Sequence, residues 1–353
     1  MLEGRHIGPE DIQNLMECNP VMADLAGFLD EWFSESPTLQ VQTSGSTGTP
    51  KRMLVQKTSM EASARMTCSF LNLKAGDTAL LCMPLKYIGA KMMVVRAITH
   101  GLNLYCVKPS SHPLQNLDFS PDFIAMTPAQ TYSSLEAPGE AALLRQTEHL
   151  IIGGGAVSAG LEDRLCSFPK HVWSTYGMTE TLSHIALRQL NGIHRSEEYT
   201  PFKGIQLSLS PDSTLVIHAP ALSDKEIHTN DIAELYPNGT FRILGRKDNI
   251  VNSGGVKIQI ESVESQLLPF LPFDFQITAA PDDRYGETVV LLAKAVPEKN
   301  TFEALEMAFA KLHMYSRPKR TFFVQELPVT ESGKPNRAKA RELAKKFLKD
   351  NHV

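Results

Sequence analysis

Thr43-Ser44-Gly45-Ser46-Thr47-Gly48-Thr49-Pro50-Lys51 is a run of small, hydroxyl-bearing and glycine residues about forty positions into the chain. Gly45 and Gly48 admit backbone turns that a Cβ resists, so amide N–H groups can converge on anionic oxygens. Ser44, Ser46, Thr47 and Thr49 add hydroxyl donors, and a nucleotide triphosphate is the natural guest. The run is not a Walker A loop, which needs Gly-x-x-x-x-Gly-Lys-Ser/Thr, because Pro50 precedes Lys51 and Arg52 follows it. The P-loop NTPase class is thereby set aside. Taken alone, the run leaves a flexible Ser/Gly linker open.

The 353-residue chain has room for two or three domains, and 42% hydrophobic with 21% charged residues is ordinary for a soluble globular protein. A formal charge of -4 gives no global basic footprint for nucleic acid, and the basic run from Arg337 to Lys349 reads as a solvated helix face. The five cysteines, Cys18, Cys68, Cys82, Cys106 and Cys166, form no Cys-x-x-Cys pair, so a reducing cytoplasm and no zinc site are expected. The first residues lack the apolar core of a signal peptide, and no run of about eighteen apolar residues exists. No membrane insertion and no export are expected.

Periodicity organises the rest. A helix is expected over residues 9–33, with Ile12, Leu15, Met16, Leu25, Phe28 and Leu29 on recurring faces. Beyond the glycine-rich run come a helix at 59–71, a strand at 78–83, a helix at 89–99, and strands at 103–107, 123–126 and 150–152, the last opening into Gly153-Gly154-Gly155. Short apolar runs alternating with helical periods predict an α/β sheet covered by helices, which binds ligands where strand ends open into glycine turns. From about Leu207 the texture becomes β-rich, with strands at 215–219, 232–236 and 241–244. A smaller α+β unit is expected after a boundary near Asp248, with helices at 260–268 and 302–314 and a strand at 288–295. Phe302, Leu305, Phe309 and Leu312 space out the apolar face of the second helix.

Four further stretches carry chemistry. Thr175-Tyr176-Gly177-Met178-Thr179-Glu180-Thr181 combines an aromatic face, a hydroxyl donor and a hard carboxylate oxygen, suited to a base, a phosphate and a hard cation. His228-Thr229-Asn230-Asp231 offers a carboxylate. Leu244-Gly245-Arg246-Lys247-Asp248-Asn249 precedes Ser253-Gly254-Gly255-Val256-Lys257, and Leu327-Pro328-Val329-Thr330-Glu331-Ser332-Gly333-Lys334 closes the series. Plain structural alternatives are a loop feeding a helix for Thr175–Thr181, a surface ion pair between Arg246 and Asp248, and a solvated Lys334; for the glycine turn at Ile152–Ala156 it is a tight strand-to-helix turn.

With the glycine turn at Ile152–Ala156, these stretches in this order resemble the adenylate-forming superfamily of acyl-CoA synthetases, luciferases and peptide-synthetase adenylation domains, over nearly the whole chain. The resemblance implies a large N-terminal domain, 1–247, of α/β sheet plus β-rich subdomain, and a small mobile C-terminal domain, 248–353. It implies that Thr43, Ser44, Gly45, Ser46, Thr47, Gly48 and Lys51 grip the phosphates of ATP, that Gly153, Gly154, Gly155, Tyr176 and Gly177 flank the adenine, and that Thr179 meets the α-phosphate. Glu180, with Thr47, would hold Mg²⁺; Asp231 and Arg246 would contact the ribose; Asp248 would be the hinge; Gly254 and Gly255 would line the pantetheine passage; Lys334 would be the adenylation lysine. Asn230 stands where the family has glycine, a substitution that a left-handed backbone would tolerate. Ile260 stands where many members have proline.

The implied reaction joins a carboxylate to AMP and then passes the acyl group to a thiol. No serine lies in a Gly-x-Ser-x-Gly elbow, which disfavours a serine hydrolase. Met83-Pro84-Leu85-Lys86-Tyr87-Ile88-Gly89-Ala90, continuing through Met93-Val94-Val95-Arg96-Ala97, most resembles the o-succinylbenzoate-CoA ligases of menaquinone synthesis, with Tyr87 in place of the usual histidine. Few residues precede the glycine-rich run, which fits the compact members of that branch. Their acid carries a second, unreacting carboxylate that needs a cationic or multidonor partner. Lys86, Arg96, Ser183 and His184 are the candidates, and Tyr87 is a candidate gate of the pantetheine tunnel. The small-molecule partners expected are the acid, ATP and CoA. Another acid, a carrier-protein acceptor, a non-catalytic nucleotide-binding protein and a homo-oligomer remain open.

Overall fold

The structure, a computed structural model, describes residues 20–42, 52–330 and 335–350. Helix α1 (Pro20–Phe33) buries Leu25, Phe28 and Leu29 as its spacing predicts, while Ile12, Leu15 and Met16 lie outside the described residues. It leads to the antiparallel pair β1 (Thr38–Gln42) and β2 (Arg52–Gln56), in which Leu39 faces Val55. Then follow α2 (Lys57–Leu71), β3 (Thr78–Leu81), α3 (Ile88–His100), β4 (Asn103–Cys106) and β5 (Phe123–Met126). Helices α4 (Pro128–Glu136) and α5 (Pro138–Gln146), strand β6 (His149–Ile152), helix α6 (Ala159–Leu165) and strands β7 (His171–Gly177), β8 (His184–Gln189) and β9 (Thr200–Pro201) complete this part.

A seven-stranded sheet in the order β4-β3-β5-β6-β7-β8-β9 is its frame, parallel from β4 to β7 and antiparallel beyond. Its inner strands β3, β5 and β6 are buried runs without alternation because both faces are covered. Ala79, Leu81, Phe123, Ala125 and Ile151 join the core under α1, α2 and α3, whereas Leu80, Ile124, Met126, Leu150 and Ile152 join a second core with Leu144, Leu161 and Leu165 of the opposite helices. Period-2 geometry sorts one apolar run into two cores.

Strands β10 (Gln206–Leu209), β11 (Thr214–His218), β12 (Ile227–Leu235) and β13 (Phe241–Arg246) form the antiparallel sheet expected after Leu207. β12 starts five residues before the predicted Ile232, because Ile227 and His228 already pair with Ile217 and Val216 of β11. Asn230 is therefore extended strand, and the positive-φ non-glycine residues among those described are Asn72, Leu182 and Ser213. The left-handed turn considered for Asn230 is not needed.

The remaining elements are β14 (Ile250–Ser253), β15 (Val256–Gln259), α7 (Ile260–Leu267), β16 (Phe275–Asp282), β17 (Gly286–Ala293), α8 (Lys299–Ala310), β18 (Arg320–Phe323) and α9 (Arg337–Asp350). Their five strands form a sheet with its own cores: Val289 and Leu291 pack with α7 and α8, and Val290 and Leu292 pack with Ala340 and Ala344 of α9. Helix α8 begins three residues earlier than predicted; Ala304, Leu305 and Ala308 are inside, and Phe302 is 48% exposed with its ring edge-on to Phe323 at 5.6 Å. The basic run of α9 is not wholly solvated either: Arg337 makes two 2.6 Å bonds to Glu264 of α7 and a third to the Ile277 carbonyl.

At the start of the parallel strands, His149 stacks on His171 with centroids 5.2 Å apart, and His171 stacks in turn on Trp173. Burial first, and then the neighbouring His171, lower the His149 pKa to about 4, against the opposing pull of Glu148, Asp77 and Asp122. The folded state stays neutral there between about pH 4 and 6.5, where the unfolded chain binds a proton, so stability is fully present above 6.5 and declines as pH falls through that window. Denaturant titrations from pH 7 to 4 are expected to show this loss, and His149→Phe is expected to flatten it.

Candidate active site

The C-terminal ends of the parallel strands surround a cavity of about 510 Å³. Lys86, Tyr87, Arg96, Gly153, Gly154, Gly177, Thr179, Ser183 and His184 all line it, so the structure gathers the proposed acid pocket and part of the proposed nucleotide site in one space. Gln42, the last residue of β1, lines it too. The run Thr43–Lys51, including Thr43, Ser44, Gly45, Ser46, Thr47, Gly48 and Lys51, lies outside the described residues, as does Lys334. The segment holding Lys334 is flanked by a bridge between Val329 and Pro335, and Gln276 of β16 donates to the Pro328 carbonyl at 2.9 Å.

The glycine turn after β6 is a backbone necessity. Gly154 has φ +78, in the left-handed region that favours glycine. At Gly177 the reason is space: a Cβ would sit 2.3 Å from the Ser183 carbonyl oxygen and 2.4 Å from His184 Cα. After Gly177 the chain makes a 3-10 turn at Thr179–Thr181, and Leu182 follows with φ 65 and ψ -35. That backbone costs about 1–3 kcal/mol in a residue with a Cβ. It is held by Thr181, whose Oγ1 lies 2.6 Å from the Ser183 carbonyl and 2.9 Å from the Met178 N–H, and by burial of the Leu182 side chain. The turn delivers Ser183 and His184 to the cavity and leaves the Glu180 carboxylate exposed, open to a hard cation.

Arg96, on α3, is 1% exposed. Its Nη2 donates to Ser183 Oγ at 2.8 Å and its Nη1 approaches Met93 Sδ at 3.8 Å, while Nε has no partner. Burial lowers its pKa to about 10, which still leaves it charged at neutral pH. Among the described residues no carboxylate pairs with it. His184 bonds Ser183 Oγ through Nδ1 at 3.2 Å and Thr67 Oγ1 through Nε2 at 3.1 Å. Burial and the Arg96 charge hold His184 well below the usual histidine range, so its imidazole is neutral. Tyr87 precedes α3 half-buried, with Lys86 Nζ 5.0 Å from its ring centroid.

A second cluster joins three of the proposed nucleotide contacts and the proposed hinge. Asp231 is buried, and its Oδ2 accepts from the Tyr176 hydroxyl at 2.7 Å while Oδ1 accepts from Arg246 Nη1 at 3.0 Å. Arg246 also makes two 2.9 Å bonds to Asp248, which raise its pKa, so the surface ion pair is real and continues inward to a buried carboxylate. Burial and Asp231 push the Tyr176 phenol up, keeping it a donor. Its ring meets Phe241 edge-on at 5.2 Å. Gly155 sits beside Pro128, and Gly254 and Gly255 turn between β14 and β15 with φ 58 and 84.

A family of AMP-binding enzymes matches residues 32–209, slightly more than half of the chain. The chain belongs to that family. Among solved structures, an acyl-CoA synthetase (AMP-forming)/AMP-acid ligase II-like protein from Dyadobacter fermentans is 30% identical, with a TM-score of 0.65, covering 97% of this chain and 98% of that one. A 2-succinylbenzoate–CoA ligase of Bacillus cereus is 25% identical over 91% of this chain and 73% of its own. The o-succinylbenzoate CoA synthetase of Bacillus subtilis, solved with its acyl-adenylate intermediate, shares the fold with a TM-score of 0.71 at 20% identity, over 85% of this chain and 68% of that one.

Several cavity residues of this AMP-binding enzyme escaped the sequence reading. Thr127 and Gln130 line the cavity and form a capping box at the start of α4, with Pro128 at its first position. The Thr-x-x-Gln spacing was a legible signal for them. Gln130 also donates to the carbonyls of Cys82 and Ser110 at 3.0 Å, fixing a wall of the cavity. Thr67, behind the cavity wall, carried no signal, since its partner His184 is 117 positions away. Gly177→Ala is expected to destabilise the protein by about 1–3 kcal/mol through overpacking, measured by denaturant unfolding. An unchanged midpoint would show that the Ser183–His184 backbone yields freely.

Proposed function

We propose that this AMP-binding enzyme is an acid–CoA ligase that activates a dicarboxylic aryl acid, o-succinylbenzoate, and that Arg96 receives the carboxylate that does not react. The buried guanidinium on the cavity wall, with no carboxylate beside it among the described residues, carries the reading. A charge taken out of water needs a counter-charge, and an anionic substrate group supplies it. The names of the relatives from Bacillus point the same way.

In the first step an oxygen of the reacting carboxylate attacks the α-phosphorus of ATP, forming acyl-AMP and releasing pyrophosphate. In the second, the CoA thiol attacks the acyl carbon and AMP departs. Thr43–Lys51 would grip the phosphates, Thr179 the α-phosphate, and Asp231 and Arg246 the ribose. Gly153, Gly154, Gly155, Tyr176 and Gly177 would border the base. Glu180, with Thr47, would hold Mg²⁺, whose charge offsets that of the phosphates; the exposed Glu180 carboxylate suits that donor role. Lys334 would neutralise charge growing on the α-phosphoryl oxygens. Residues 1–247 would bind ATP and acid, and 248–353 would swing about Asp248 between the steps, with Gly254, Gly255 and Tyr87 beside the pantetheine path.

Pyrophosphate release, measured with o-succinylbenzoate, benzoate and short and long fatty acids, with and without CoA, tests the reading. Release is expected to be fastest with o-succinylbenzoate; faster release with plain fatty acids overturns the substrate, and none with any acid favours a non-catalytic binding protein. Arg96→Lys is expected to raise KM for o-succinylbenzoate by at least about 10-fold, the scale of a charge-assisted hydrogen bond, with little change for benzoate. Lys334→Ala is expected to slow adenylation by at least about 10²-fold while synthetic acyl-AMP still reacts with CoA; equal losses in both steps refute that assignment.

A further inference from the structure

Arg96, Ser183, His184 and Thr67 lie on one chain of hydrogen bonds, with a guanidinium at one end and a helical carbonyl at the other. A guanidinium only donates, so Ser183 Oγ accepts from Arg96 Nη2 at 2.8 Å. At the far end, Thr67 Oγ1 lies 3.3 Å from the Ser63 carbonyl oxygen one turn back on α2, and a carbonyl only accepts. With the Thr67 proton on the Ser63 carbonyl, Thr67 Oγ1 meets His184 Nε2 as an acceptor at 3.1 Å. This places the imidazole proton on Nε2. Nδ1 is left bare and accepts the Ser183 hydroxyl proton across 3.2 Å. Each donor in the chain then has its acceptor.

The other tautomer breaks this order at two places. With the proton on Nδ1, Ser183 Oγ must accept from both His184 and Arg96, and its own proton swings out of the chain. Thr67 must then turn from Ser63 to Nε2 and leave the helical carbonyl. Thr67 is fully buried and is not one of the cavity-lining residues, so a direct substrate contact does not account for it.

We propose that Thr67 is a positioning residue for acid recognition: by accepting from His184 Nε2 it fixes the tautomer whose bare Nδ1 takes the Ser183 proton, so that the Ser183 hydroxyl is locked with its lone pair on Arg96 and holds the guanidinium in place for the free carboxylate of the substrate. The consequence for turnover rests on the dicarboxylate reading above; the tautomer does not. It is read from two-bond ¹H–¹⁵N correlation spectra of protein labelled at histidine nitrogens, with the His184 signal assigned by its loss in His184→Gln. An Nε2–H imidazole is expected in the unsubstituted protein, and an Nδ1–H imidazole in its place overturns the proposal. Thr67→Val is expected to shift the tautomer balance and raise KM for o-succinylbenzoate about 3- to 10-fold, one hydrogen bond's worth, with kcat within about twofold and Thr67→Ser restoring both. An unchanged tautomer in Thr67→Val refutes the relay whatever the substrate. If Thr67→Val does not fold, the tautomer of the unsubstituted protein and of Thr67→Ser decides. A protein that shows the expected tautomers yet ignores o-succinylbenzoate keeps the relay and loses the dicarboxylate reading.

Discussion

A guanidinium removed from water, with no carboxylate beside it among the described residues, is the constraint around which the cavity is arranged. Leaving such a charge unpaired in a protein interior costs on the order of several kcal/mol, and here the described residues provide a serine hydroxyl and a thioether at the wall of the cavity. The same charge acts on its surroundings, since it helps hold His184 neutral. The strained Leu182 and the glycine at 177 are the backbone's part in it, because both are needed to bring Ser183 against α3.

The second cluster answers a different electrostatic problem. Asp231 is as buried as a core residue, and its two oxygens are satisfied by Tyr176 and Arg246. Arg246 then continues to Asp248, so one guanidinium spans two carboxylates at the point where the strands of the first part give way to those of the second. Gln259 of β15 donates to the Arg246 carbonyl at 2.9 Å, which ties the second sheet to the same residue. None of the buried side-chain polar atoms of this network lacks a partner, and a fully satisfied polar network is rigid.

Most of the architecture was legible because it follows from local chemistry. Phe123–Met126 is a strand in the sequence and in the structure, and its uninterrupted apolar character reported the double cover of the sheet. Departures came where partners distant in sequence decide. β12 reaches back to Ile227 because β11 is there to pair with it, and Phe302 of α8 meets Phe323 of β18 at the edge of the core instead of entering it. Arg337 looked like solvent-facing charge because Glu264, its partner, is 73 positions earlier.

By itself the sequence determined the α/β class, the β-rich and α+β parts that follow, and which residue types could meet phosphate, ribose and carboxylate, since apolar period, turn chemistry and motif order are properties of neighbours along the chain. Only the tertiary structure decided that Arg96 is buried without a carboxylate among the described residues, that Ser183 is its hydrogen-bond partner, and that Thr67 lies at the far end of the same hydrogen-bond chain. Burial and hydrogen-bond direction depend on atoms brought together across 87 and 117 positions, and no local pattern encodes them.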